Sequence, residues 1–205
     1  MNDLLLQVLA LVVAALFVLG LLGAVAPKAA GAMIRAATIA CSAAGTIAAV
    51  VALAADGGAE TLVLPLGLPG VPMLLTLDAL SCVFLVLLFV SATACSVYAM
   101  DPHEAEDTRA LPFFPVFIGA MALTLLAGDG FTLVFGFEAM SLASWATVLA
   151  RHEEPASRDA ALLYIGIAAF GAGDPVHVQR VQAWRAVHPG YSRAKPGKQK
   201  RYKIP

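Results

Sequence analysis

Charge is scarce in this chain: 13% of its 205 residues are Asp, Glu, Lys or Arg, where a soluble domain carries about 25%. An ordinary water-soluble enzyme is excluded on that ground. Disorder is excluded by the opposite excess, 60% hydrophobic residues at a mean hydropathy of +0.83. Cysteine is nearly missing. Cys41, Cys82 and Cys95 each fall inside an apolar run, with no Cys-x-x-Cys and no histidine at ligand spacing, so neither a disulfide framework nor a zinc site is expected. His103, His152, His177 and His188 read as surface residues for the same reason. Gly128-Asp129-Gly130 and Gly171-Ala172-Gly173 lack the Lys-Ser/Thr of a phosphate loop and read as turns. No cofactor and no metal are expected. A basic n-region is missing too. Asp3 is acidic and the first apolar run, Leu4 to Ala26, is 23 residues long, longer than a signal h-region, so it reads as a retained first helix although Ala24-Val25-Ala26 imitates a cleavage site.

What is present is a series of apolar runs, each near the roughly 20 residues that cross a hydrocarbon core of about 30 Å at 1.5 Å per residue. They are Leu4 to Ala26, Ala36 to Ala55, Ala79 to Met100, Leu111 to Ala127 and Phe131 to Ala150. The second is rich in Ala, Gly, Ser and Thr, which lets neighbouring helices approach closely. The connector from Asp56 to Leu77 carries Pro65, Pro69 and Pro72 with several glycines and cannot be a helix. A sixth run, Ala160 to Gly171, has 12 residues and would reach only about 18 Å, so it is not expected to span. The fold class expected is therefore all-α: a polytopic transmembrane bundle of five spanning helices plus a short sixth.

The net charge of −1 hides an asymmetry. Residues 1–171 hold 5 Lys/Arg and 13 Asp/Glu, a net of −8, whereas residues 172–205 hold 8 Lys/Arg and one Asp, a net of +7. Two different kinds of sequence meet near Gly171. The tail packs six Lys/Arg between Arg193 and Lys203, with Trp184 and Tyr191 nearby. Such a cluster suits anionic lipid or nucleic acid, or it is a solvated, disordered tail. In the body, Lys28, Arg35, Arg109, Arg151 and Arg158 all fall on one side if the N-terminus lies outside. The positive-inside rule then places that side, and the basic tail, in the cytoplasm.

One ionisable residue lies well inside an apolar span. Glu138 is the eighth residue of the fifth run, about 10 Å below its start, where a charge costs at least about 2.5–3.5 kcal/mol. Ser141 and Trp145 follow at i+3 and i+7, on the same helical face. Two readings of Glu138 stand: an acid that accepts and releases a proton within the membrane, or a structural Glu, permanently protonated or paired with a helix neighbour.

Leu77-Asp78-Ala79-Leu80-Ser81, opening a helix that ends in Val97-Tyr98-Ala99-Met100, and Phe135-Gly136-Phe137-Glu138-Ala139-Met140-Ser141-Leu142-Ala143-Ser144-Trp145 resemble the antiporter-like proton-translocating membrane subunits. That family includes the L, M and N subunits of NADH-quinone oxidoreductase, Mrp antiporter subunits, and hydrogenase-4 component B with its formate hydrogenlyase counterpart. Met140 to Ser144 and Asp159 to Tyr164 are most similar to the hydrogenase-4 branch. The resemblance implies a multi-pass subunit of the bacterial inner membrane, partnered by other membrane subunits of a respiratory or hydrogenase complex. Such a subunit belongs to an oxidoreductase without doing redox chemistry itself. It also implies that Glu138 is the family's fifth-helix acid, coupled to a lysine on the seventh helix. Phe137 departs from the usual Trp, and the lysines of later helices are absent from residues 1–205. A truncated N-terminal part with a foreign or frameshifted tail, inactive alone, is the expectation. The alternative is a non-catalytic membrane anchor that displays the basic tail.

Overall fold

The computed structural model describes residues 2–25, 27–55, 59–68, 71–100, 109–150 and, beyond these, 153, 157, 159–166 and 168. The tail readings, and the division near Gly171, lie outside the described residues.

Helix α1 runs Asn2–Val25 and α2 runs Pro27–Ala54. Lys28 and Arg35, expected in a loop before a helix beginning at Ala36, therefore stand within α2. Pro27 explains the early start, because a proline fits the first helical position, where its missing N–H costs nothing and its φ is already helical. The Ala-rich stretch after it then continues the helix.

The proline-containing connector is an antiparallel hairpin of β1 (Glu60–Leu68) and β2 (Val71–Leu77). Glu60 pairs with Leu77 and Leu64 with Met73; the register then shifts before Gly67 pairs with Pro72. Pro65 sits in this irregular stretch, where no regular ladder donor is required, and Gly67 supplies a φ of 134° that other residues resist. Strand alternation sorts the side chains. Met73, Leu75 and Leu77 are buried and Leu62 and Leu64 pack against the same core, while Val63 and Leu66 point outward.

Helix α3 is Ala79–Tyr98, opened by Asp78, whose carboxylate accepts from the Ser81 N–H at 2.7 Å. Those hydrogen bonds, the Ser81 backbone bond foremost, hold the Asp78 carboxyl below the ordinary carboxylate range. Helix α4 is Phe113–Leu125 and α5 is Gly130–Leu149. Among the described residues, four helices, α1, α2, α3 and α5, are long and apolar enough to cross a membrane. At 13 residues α4 is shorter, about 20 Å, because Leu126 to Gly128 leave the helix and pair with β2. Thr76 N–H donates to the Leu126 carbonyl at 2.7 Å and Gly128 N–H to the Leu74 carbonyl at 2.8 Å. Residues 159–166 are helical as well.

Helix α1 packs on α2 and α4, α2 on α3, and α4 on α5, while the hairpin covers the end where α1 begins and α4 turns into α5. Phe89 of α3, fully buried, lies over Gly45 of α2, where a Cβ would come within 2.7 Å of its ring. Acidic Asp3, Glu60, Asp78 and Asp129 belong to the hairpin end; Lys28, Arg35 and Arg109 belong to the other. Arg109 there forms an exposed 3.2 Å ion pair with Glu153, a contact worth less than about 1 kcal/mol in water.

Candidate functional site

Glu138 lies on α5, whose start is fixed by Asp129. The Asp129 carboxylate accepts from the backbone N–H groups of Phe131 (2.7 Å) and Thr132 (2.9 Å), from the Thr132 hydroxyl, and from Leu74 N–H of β2 at 2.7 Å. Burial alone would raise its pKa, but these four donors outweigh it and hold the group below the ordinary value. One side chain thus caps α5 and ties the hairpin to it.

The rotation of α5 is set by its contact with α4. Gly136 faces Thr124 so closely that a Cβ would lie 2.6 Å from the Thr124 hydroxyl and 3.0 Å from its backbone nitrogen. Thr132, Gly136 and Ala143 are buried and lie roughly 120–160° round the helix from Glu138 at 100° per residue. Glu138 therefore projects away from α4, and it is half-buried. Ser141 and Trp145 lie within about 60° of it; Ser141 is 6% exposed, and the Trp145 indole N–H is buried with no hydrogen-bond partner among the described residues. No hydrogen bond joins the three side chains, and none reaches Glu138 among the described residues. Because Gly136 sets this orientation, Gly136→Ala should lower stability by about 1–3 kcal/mol, the usual cost of overpacking. The check is thermal unfolding in detergent, with Gly166→Ala, which meets nothing within 4 Å, as the silent control.

A turn at Gly128-Asp129-Gly130, the expectation from its glycines, leaves out the capping role of Asp129. The signal was an Asp directly before an apolar helical run, the N-cap pattern. Its bond to Leu74, 55 residues away, had no local signal.

Four long apolar helices and a carboxylate partway along one of them define a multi-pass membrane protein. No family profile matches the chain. Over 102 residues it is 33% identical to hydrogenase-4 component B of Escherichia coli (strain K12), a match that covers 48% of this chain and 15% of that protein. The relationship is distant, and the chain spans a small part of the relative's length.

Proposed function

We propose that this chain contributes the first helices of a proton-translocating membrane subunit of a hydrogenase-4 or NADH-quinone oxidoreductase-like complex, with Glu138 as a proton-carrying group. One observation carries the reading: an acid sits on the side of a spanning helix turned away from the Gly136–Thr124 contact, half-buried and with no hydrogen-bond partner among the described residues. A structural Glu paired with a helix neighbour would have a donor beside it. Intramembrane acids of this kind face cavities, partners or proton paths. The buried, unpartnered Trp145 N–H on the same face adds a polar group that calls for water or a further helix. The similarity to hydrogenase-4 component B supplies the complex. On this reading the partner of Glu138 is a cation on a helix beyond residue 171, and residues 1–171 alone conduct no protons.

The test is a graft. Residues 1–171 joined to the remaining helices of hydrogenase-4 component B should give proton flux in liposomes where the isolated chain gives none. A well-assembled graft without flux would leave the membrane-anchor reading in its place.

The same proposal fixes orientation. Among the described residues the basic ones, Lys28, Arg35 and Arg109, gather at the end opposite the hairpin, so that end belongs in the cytoplasm and the hairpin outside. In a background with the native cysteines replaced, Leu66→Cys, at an exposed hairpin position, should react with a membrane-impermeant thiol reagent added to intact cells. Reaction only after the cells are opened would invert the topology.

A further inference from the structure

The register of the hairpin decides which backbone groups of β1 are left without a partner. In an antiparallel pair, two residues opposite one another either exchange both backbone bonds or both turn their N–H and C=O groups away. Leu74 and Thr76 turn away from β1. Leu74 N–H donates to the Asp129 carboxylate at 2.7 Å and the Leu74 carbonyl accepts from Gly128 N–H at 2.8 Å, while Thr76 N–H donates to the Leu126 carbonyl at 2.7 Å. Their register partners, Val63 and Thr61, therefore direct their own N–H and C=O groups to the opposite edge of the sheet. No hydrogen bond meets either residue there among the described residues. One edge of the hairpin is thus covered by Leu126 to Gly128, and the other is open.

An open edge is a template for a further strand. This one is short, because the next outward position in the alternation is Pro65, which has no N–H to give. Beside it Thr61 is exposed and Val63 is 58% exposed. Charge decides between occupants. Glu60 opens the strand and Asp78 follows Leu77, the register partner of Glu60. Neither carboxylate has a basic partner among the described residues, whose lysine and arginines stand at the other end of the bundle. A second copy of the chain would bring the same carboxylates to the seam and neutralise none of them. A strand with a cation opposite Glu60 would complete an oppositely charged cross-strand pair.

We propose that the open edge of β1 binds an extended segment of a partner protein, added antiparallel, with a Lys or Arg opposite Glu60 and β-branched side chains opposite Thr61 and Val63. The N–H groups of Thr61 and Val63 donate to carbonyls of that segment, and their carbonyls accept from its N–H groups. The inference concerns assembly at the hairpin end and does not rest on the proton reading of Glu138.

The full chain, purified in detergent, would be probed with a capped Thr-Val-Thr-Val-Lys peptide at millimolar concentration, with Thr-Val-Thr-Val-Glu and with the lysine peptide N-methylated at both valines. Amide hydrogen exchange is read by NMR. In the free chain Thr61 and Val63 should exchange fast while Leu62 and Leu64, bonded to β2, stay protected. The lysine peptide should slow Thr61 and Val63 at least about fivefold, the equivalent of one backbone hydrogen bond each, and the other two peptides should leave them within about twofold. Glu60→Gln should remove the preference for lysine over glutamate in the peptide without changing protection at Leu62 and Leu64. Slow exchange of Thr61 and Val63 in the free monomer, or no slowing by the lysine peptide, would overturn the open edge as a docking site. Equal slowing by the lysine and glutamate peptides would overturn the basic partner, and protection that rises with protein concentration alone would assign the edge to a second copy instead. None of these outcomes depends on proton flux.

Discussion

Glu138→Gln should remove nearly all proton flux from a graft that carries the later helices, a loss on the order of a hundredfold if the carboxylate acts as the proton carrier, while the amount of assembled protein stays level. Gln matches Glu in length and shape and can still donate and accept hydrogen bonds, but it cannot ionise. It is also cheaper to hold in lipid than a carboxylate, so a loss of flux cannot be blamed on insertion. The position sharpens the test. Glu138 projects roughly 120–160° away from the buried Thr132, Gly136 and Ala143 and has no hydrogen bond among the described residues, so no described hydrogen bond is broken by the change. Glu138→Asp keeps the charge and withdraws it by one methylene, and should retain a measurable fraction of the flux. Dye-reported acidification in liposomes, normalised to assembled protein, separates the outcomes. Unchanged flux in the Gln variant would assign Glu138 to packing.

The spans were legible because lipid and helix geometry impose one pattern over some 20 residues. Hydrophobicity located α1, α3 and α5 to within a few residues of their observed ends. Pro27, Lys28 and Arg35 resemble loop markers and so hide the start of α2, although a proline is at home at the first turn of a helix. The hairpin is hard to see in the sequence because its prolines and glycines interrupt the alternation that marks its strands. Glu60-Thr-Leu-Val-Leu and Met73-Leu-Leu-Thr-Leu flank a Pro69-Gly70 turn signal. The short α4 is hidden with it, since Leu126 to Gly128 are drawn into pairing with β2, and that demand is invisible until β2 is recognised. Of the candidate site, the shared face of Glu138, Ser141 and Trp145 was readable from spacing. Which way that face points was not, since it depends on the fit of Gly136 against Thr124 in another helix.

Asp129→Ala should release the hairpin from the bundle. The substitution strips acceptors from Phe131 and Thr132 at the start of α5 and from Leu74 in β2. Losing a helix cap costs about 0.5–2 kcal/mol and one further partly buried bond about 1 kcal/mol, so a total of about 1.5–3 kcal/mol is expected. Asp78→Ala is the matched control: it removes an Asp cap from α3 whose bond to Ser81 is purely local. Hydrogen exchange distinguishes them, because Leu74 and Thr76 amides should lose protection in the Asp129 variant and keep it in the Asp78 variant. Acid should reproduce the effect. The Asp129 carboxyl is held below its ordinary value in the folded chain, so its contribution is present above the unfolded value of about 3.9 and is lost as pH falls through the lower folded value. Protection at Leu74 should therefore hold from neutrality down to about that pH and fall away only in stronger acid, with no such dependence left in Asp129→Ala. Equal loss of Leu74 protection in both variants would mean that the hairpin is held by its buried Met73, Leu75 and Leu77 rather than by this carboxylate. The consequence reaches the candidate site, since Asp129 anchors the helix nine residues before Glu138, about 13 Å along its axis. A frayed start should shift the depth of that carboxylate and lower flux in the graft without altering any residue on its face.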